Sequence, residues 1–423
     1  MKTKLLLLTF AAFIAACSNQ DQLDADSAIS NSQENKDAFR NYEEALVIAE
    51  ASINMLDNNS VPTRNHNKSR KIKRSERKAY TNDIKTRAIS ADKDTLIYIF
   101  NFENNEGFAL VSASKNTEAL LAITDKGYCN PEEKSKIEGF DEFIQMAKIY
   151  VLNATKTPIL RIYDDPIVET KDSITYAYQE VGPYISVNWG QTLPEGEFCP
   201  NGVAGCGNTA LAQIMSYYNY PTSISITFPG AGVTTQSLNW TAMKAHSTGH
   251  PRNSCIDQTT HDAIGRLLRQ LGTLNHSVYD MTDSLTSTEI SYLSSTINTL
   301  GYSQGNWRSY KSIVARNSLD DSELFYMIGA CSAGGHAWVL DGYRTVIATI
   351  RHMGRTATSG WFIIEVTTET NYYLHFNWGW YGDCNGYFLE GIYNTSQAYL
   401  YDNPTNVHNY NFSSSVQMKC IYH

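Results

Sequence analysis

Cys206, His336, Asn377 and Gln191 are residues whose types and surroundings fit one chemistry, acyl transfer through a thiolate. Cys206 stands between Gly205 and Gly207, directly before the helix-forming run Asn208–Met215. A helix amino terminus leaves N–H groups unpaired and favours an anion, so this placement supports the thiolate. A thiolate nucleophile needs a base. His336 follows Gly334 and Gly335 and precedes Ala337–Leu340, a buried-strand pattern that holds an imidazole on a rigid edge. Asn377 offers an amide oxygen able to accept the imidazole N–H and fix its tautomer, and the Trp378 indole beside it shields the pair from water. Gln191, in Asn188-Trp189-Gly190-Gln191, carries an amide that can join the Cys206 backbone N–H in an oxyanion hole.

About 130 residues separate Cys206 from His336 and about 170 separate it from Asn377, in the chain order Cys…His…Asn of papain-like proteases. With Trp189-Gly190-Gln191, Gly205-Cys206, Thr209-Ala210, Ala212-Gln213-Ile214-Met215, Tyr220-Pro221, Gly335-His336-Ala337, Asp341-Gly342-Tyr343 and Asn377-Trp378-Gly379-Trp380, the chain resembles the streptopain-like cysteine peptidases, family C10 of the papain-like clan. The resemblance covers residues 175–423 and, more loosely, the segment before them. It implies Cys206 as nucleophile, His336 as general base and acid, Gln191 in the oxyanion hole, and Asn377 with Trp378 behind the histidine. It also implies protein or peptide substrates with a bulky apolar residue two positions before the cut, and no cofactor. Gly207 departs from the pattern, which has a small branched residue after the cysteine.

The elements that must position these groups follow from periodicity. Residues 206–220 read as a helix stopped by Pro221, and 263–271 as another. Thr286 and Glu289 form a capping box opening a third helix through Ile290, Leu293, Ile297 and Leu300, ended by Gly301. Strands follow at 337–340, 361–366 and 372–376. Helices first and an antiparallel sheet second give a two-lobed papain-like domain over 179–423, with the cleft between the lobes. Upstream, a helix at 41–56, strands at 96–102, 108–112 and 120–124, and a helix at 137–152 make an α+β unit over 41–160. The expected fold class is therefore α+β, a propeptide-like domain before a papain-like catalytic domain. Asn105–Ser112 resembles the family's pro-region, so the chain's own propeptide is the expected inhibitor. Residues 161–178 are polar and read as a processing linker.

The amino terminus reads as a signal peptide over 1–16, with Lys2 and Lys4 before the apolar stretch Leu5–Ile14. Ile14-Ala15-Ala16-Cys17 resembles a bacterial lipoprotein cleavage box, which makes Cys17 the lipidated first residue of a tether over 17–40. The expected location is outside the cytoplasm, lipid-anchored to the bacterial outer membrane or cell surface, with release after processing. A net charge of −9 argues against a nucleic-acid partner. The basic block from Arg64 to Lys78 reads as a solvated loop. His375 with Cys384, or Cys199 with Cys206, completes no four-ligand set, so no metal is expected. Six further cysteines allow fifteen disulfide pairings and the sequence selects none. Two other functions stay open on these residues alone: an acyltransferase or amidase using the same Cys–His pair, and a surface adhesin in which Cys206 is core and Trp378-Gly379-Trp380 binds a ligand.

Overall fold

The computed structural model describes residues 38–57, 70–81, 95–133, 135, 137–154, 169–231, 235–331, 334–355, 360–392 and 416–423. The expectations for the signal peptide, Cys17 and most of the tether lie outside the described residues, as does the linker before residue 169.

Helix α1 (Tyr42–Asp57) opens on a reciprocal cap. The Asn41 side chain accepts from the Glu44 N–H at 2.9 Å, and the Glu44 carboxylate accepts from the Asn41 N–H at 2.8 Å. Its apolar stripe, Ala45, Leu46, Ala49 and Ile53, is buried. Strands β1 (Lys78–Thr81), β2 (Thr95–Asn101), β3 (Phe108–Ser112) and β4 (Leu120–Thr124) follow. The last three are buried at every position, as expected of strands covered on both faces. Helix α2 (Glu138–Ala154) packs Phe140 and Phe143 against Phe388, with the Phe143 ring 4.8 Å away. Burying a ring of that size stabilises the docked helix by roughly 2–3 kcal/mol.

The expected processing linker is corrected in its second half. Residues 169–181 form strand β5, which pairs antiparallel with residues 343–355. Only long-range pairing makes this polar segment a strand, since it has no buried apolar alternation of its own.

The catalytic half begins with α3 (Cys206–Tyr218), which stops where Asn219 turns left-handed at φ 53°. Helices α4 (Trp240–Ala245), α5 (Gln258–Leu274), α6 (Ile290–Thr299) and α7 (Ser312–Asp320) complete the helical lobe. The expected capping box is also corrected. Glu289 is the N-cap of α6, accepting from the Ser291 N–H, whereas the Thr286 hydroxyl donates to the Val203 carbonyl at 2.7 Å. Strands β6 (Leu324–Cys331), β7 (Gly334–Arg355), β8 (Phe362–Asn377), β9 (Gly386–Leu389) and β10 (Gln417–Tyr422) form the second lobe. β7 runs well past the predicted strand at 337–340, and β8 joins the strands predicted at 361–366 and 372–376 into one.

One 12-stranded sheet runs β1-β2-β3-β4-β9-β8-β7-β6-β10, with β5 on β7 and two short strands on β10. The β4–β9 pairing, Gly386↔Thr124 to Phe388↔Ala122, joins the first domain's sheet to the catalytic sheet. The β6–β7 register then decides which groups face which layer. Gly329↔His336 and Met327↔Trp338 put His336 and Trp338 on one face, and Tyr326↔Val339 lies on the other. Helix α2 covers the histidine face, and the start of α3 meets the Tyr326 face.

Candidate active site

Cys206 is the first residue of α3, a partly buried cysteine outside any disulfide and preceded by Gly205 at φ 89°. That φ is left-handed territory, which glycine enters without steric cost. The turn is locked by Thr209, whose N–H and hydroxyl both bond the Gly205 carbonyl at 3.1 Å. Burial pushes the thiols of Cys199 up to about 11 and Cys129 and Cys420 up to about 12, and holds Cys384 well above the ordinary thiol value. Those four are held protonated and are poor nucleophiles at neutral pH.

Gln191 is buried on the loop beside this turn. Its carbonyl accepts from the Ala204 N–H at 2.7 Å, and the Gly190 carbonyl accepts from the Thr209 hydroxyl at 3.1 Å. Both bonds tie the 189–191 loop to the segment that carries Cys206. Glu195, fully buried, accepts from the Gly190 N–H at 3.1 Å. Burial raises the Glu195 carboxyl to about 7, against the opposing backbone bonds. A Cβ at Gly190 would fall inside the Tyr381 ring, so this loop needs glycine there.

His336 is buried with its Nε2 3.1 Å from the Trp378 carbonyl oxygen. Its ring stacks on Trp338 at 6.2 Å and lies 6.3 Å from the Trp378 ring. Burial lowers its pKa to about 4, with the Trp378 carbonyl pulling the other way, so the imidazole is neutral. Its outer edge is closed by Gly139, the second residue of α2. A Cβ there would overlap the Trp378 ring and come within 3.0 Å of the His336 ring.

One sequence-based expectation is corrected here. The expected hydrogen bond from His336 to the Asn377 amide is not made. Asn377 Oδ1 accepts from Gln213 Nε2 at 2.9 Å and from the Gly379 N–H at 3.2 Å, and its Nδ2 donates to the Val187 carbonyl at 3.0 Å. The imidazole's partner is the next residue's backbone. The His336 ring lies against Trp338, Trp378 and Gly139, on the face of β7 turned towards α2. Trp378 does lie against the histidine as expected, pinned by its indole N–H to the Cys384 carbonyl at 3.0 Å.

Gln213 bridges the Trp189 carbonyl and Asn377 from inside α3, a role that its place in a helix does not announce. A second buried histidine, His375, bonds Asp341 through Nδ1 at 2.6 Å. Its Nε2 lies 3.7 Å from Asp125, an ion-pair contact too long for a hydrogen bond. Burial would lower the His375 pKa, but the Asp341 charge and the contacts with both carboxylates push it up to about 9.

Residues 186–388 match the Peptidase C10 family, and residues 42–151 match the Spi protease inhibitor family. Residues 186–388 are thus a streptopain-like C10 cysteine peptidase domain. Streptopain of Streptococcus pyogenes is 25% identical over 336 residues, 71% of this chain and 75% of that protein. The thiol protease/hemagglutinin PrtT of Porphyromonas gingivalis is 22% identical over 330 residues, and the chain spans about a third of its length. The prointerpain A fragment of Prevotella intermedia shares the fold, with a TM-score of 0.50 over 81% of this chain and 98% of that one, at 18% identity. The chain thus carries a Spi inhibitor-like domain before a C10 peptidase domain, in the arrangement of a zymogen.

Proposed function

We propose that this chain is the latent form of an exported cysteine endopeptidase, with Cys206 as nucleophile and His336 as base and acid. The observation that carries the reading is the position of Gly139. The inhibitor-like domain seals the imidazole against Trp378 on one face of β7, while the thiol heads α3. Removing α2 unseals the ring and leaves it free to turn from the Trp378 carbonyl towards Cys206.

In the turned state His336 takes the thiol proton, and the thiolate attacks the substrate carbonyl. The developing oxyanion is held by the Gln191 amide and the Cys206 N–H, each donor contributing on the order of 10²–10³ in turnover. His336 then protonates the leaving amine, and water hydrolyses the thioester. Asn377, tied to Gln213 and Val187, and Trp378 act as the wall that returns the ring to one place.

Cys206→Ala tests the reading. The purified variant should remain full length and leave casein intact, whereas the native chain, once its first domain is released, cleaves it. Casein cleavage by the variant sinks the assignment. Anchoring through Cys17 is the second part of the proposal, supported by the residues around it. A clickable fatty acid fed to the producing cells should label the native chain and not Cys17→Ser.

A further inference from the structure

The departure at Gly207 has a structural counterpart. An ideal Cβ there would stand 2.7 Å from the Tyr326 hydroxyl oxygen and 2.9 Å from the Thr288 hydroxyl oxygen. No larger residue fits unless both neighbours move, so the missing side chain and the tyrosine are one arrangement. Tyr326 comes from β6, is completely buried beside Trp307, and has no hydrogen-bond partner for its hydroxyl among the described residues. A buried hydroxyl that bonds nothing is unusual, and this one is aimed into the first turn of α3, where N–H groups and a thiol meet.

We propose that Tyr326 is a hydrogen-bond donor to the ionised Cys206 sulfur, reaching it through the gap that Gly207 leaves open. Burial keeps the phenol protonated far above neutral pH, and the titratable group it senses is the Cys206 thiol, whose negative charge further opposes loss of the phenolic proton. The phenol is therefore a permanent donor with an empty hydrogen. While His336 faces α2, this donor is on the α3 side of the sheet and does not depend on activation. It would raise the thiolate fraction before the imidazole arrives and keep it high afterwards. The inference rests on the assignment of Cys206 as nucleophile.

Iodoacetamide labelling of Cys206 in the full-length protein, followed peptide by peptide across pH, reads the thiol directly. With Tyr326→Phe the labelling midpoint should rise by about one pH unit, a tenfold loss of thiolate at neutral pH. After maturation kcat should fall about tenfold with KM nearly unchanged, since a tenfold loss of thiolate acts on the chemical step. Gly207→Ala, which drives a methyl group into the hydroxyl, should raise the same midpoint. The double variant should match Tyr326→Phe alone. Gly207→Ala carries the test if the phenylalanine variant does not fold. An unmoved or lowered midpoint in a folded variant overturns the inference. If Cys206→Ala is inactive in that case, the nucleophile assignment stands without the tyrosine. Cleavage by Cys206→Ala would overturn both.

Discussion

His336 and His375 sit on adjacent strands, are both fully enclosed, and both touch the inhibitor-like domain, yet they end in opposite protonation states. His336 meets indole rings, Gly139 and one carbonyl, so burial dominates and its pKa falls to about 4. His375 suffers the same burial, but Asp341 at 2.6 Å and Asp125 at 3.7 Å override it and raise its pKa to about 9. The first is a neutral imidazole. The second is a fixed cation that clamps Asp125 of the first domain to Asp341 of the second. Asp341 also accepts from the Ile185 N–H at 2.9 Å, so the clamp reaches the opening segment of the catalytic domain. Identical side chains a strand apart show that neighbouring charge, not depth, sets the role.

The largest effect should come from unbalancing the charged member. Asp341→Asn leaves the buried His375 without its main counter-charge, and breaking such a pair costs about 3–5 kcal/mol. Urea unfolding at pH 7 measures it; a loss under about 1 kcal/mol would mean that His375 is neutral there. Next comes the neutral member. Gly139→Leu forces a side chain into Trp378 and His336, and overpacking of that kind costs about 1–3 kcal/mol. In a Cys206→Ala background, amide exchange over 138–154 should quicken while the core of α5 stays protected. Equal protection of 138–154 in both chains would show that the contact is not tight.

Acid and alkali should separate the two histidines. As pH falls below about 6.5, the unfolded chain takes up a proton at residue 336 that the folded chain refuses, so stability is lost down to about pH 4. At residue 375 the folded chain keeps a proton that the unfolded chain has shed, so that contribution is present below about 6.5 and is lost as pH rises to about 9. Unfolding free energy against pH should therefore flatten on the acid side in His336→Gln and on the alkaline side in His375→Gln. Difference curves against the native chain check this. The same flattening in both variants would refute the contrast.

Much of this architecture was legible from local pattern. The apolar stripes gave α1, α2 and α3 to within a few residues, and β2 to β4 likewise, because burial there follows the intrinsic period of each element. β5 was not legible, since its polar residues become a strand only through distant pairing with β7. Strands were legible at 361–366 and 372–376, but the polar run 367–371 that joins them into β8 was not, since only pairing with β7 makes it extended. In the site, Cys206 and its glycine turn could be read because helix starts have local signatures. The partner of Asn377 could not, because nothing in the sequence says that Gln213 takes the amide first. Tyr326 is one of 27 tyrosines, and only the emptiness at Gly207 singles it out.

The smallest effect should fall on the partner that the two domains share across their boundary. Asp125 is 18% exposed and 3.7 Å from His375, so water screens the pair and its contribution is about 0.5–1 kcal/mol. Asp125→Asn should weaken the full-length chain by that amount, more at low salt than at high, because a partly solvated pair is screened. It should leave the matured catalytic domain unchanged, since Asp125 belongs to the part that is removed. Asp341→Asn, by contrast, should weaken both forms. Equal destabilisation of the full-length chain by the two substitutions would break this division, in which one carboxylate builds the catalytic domain and the other only fastens the inhibitor-like domain to it.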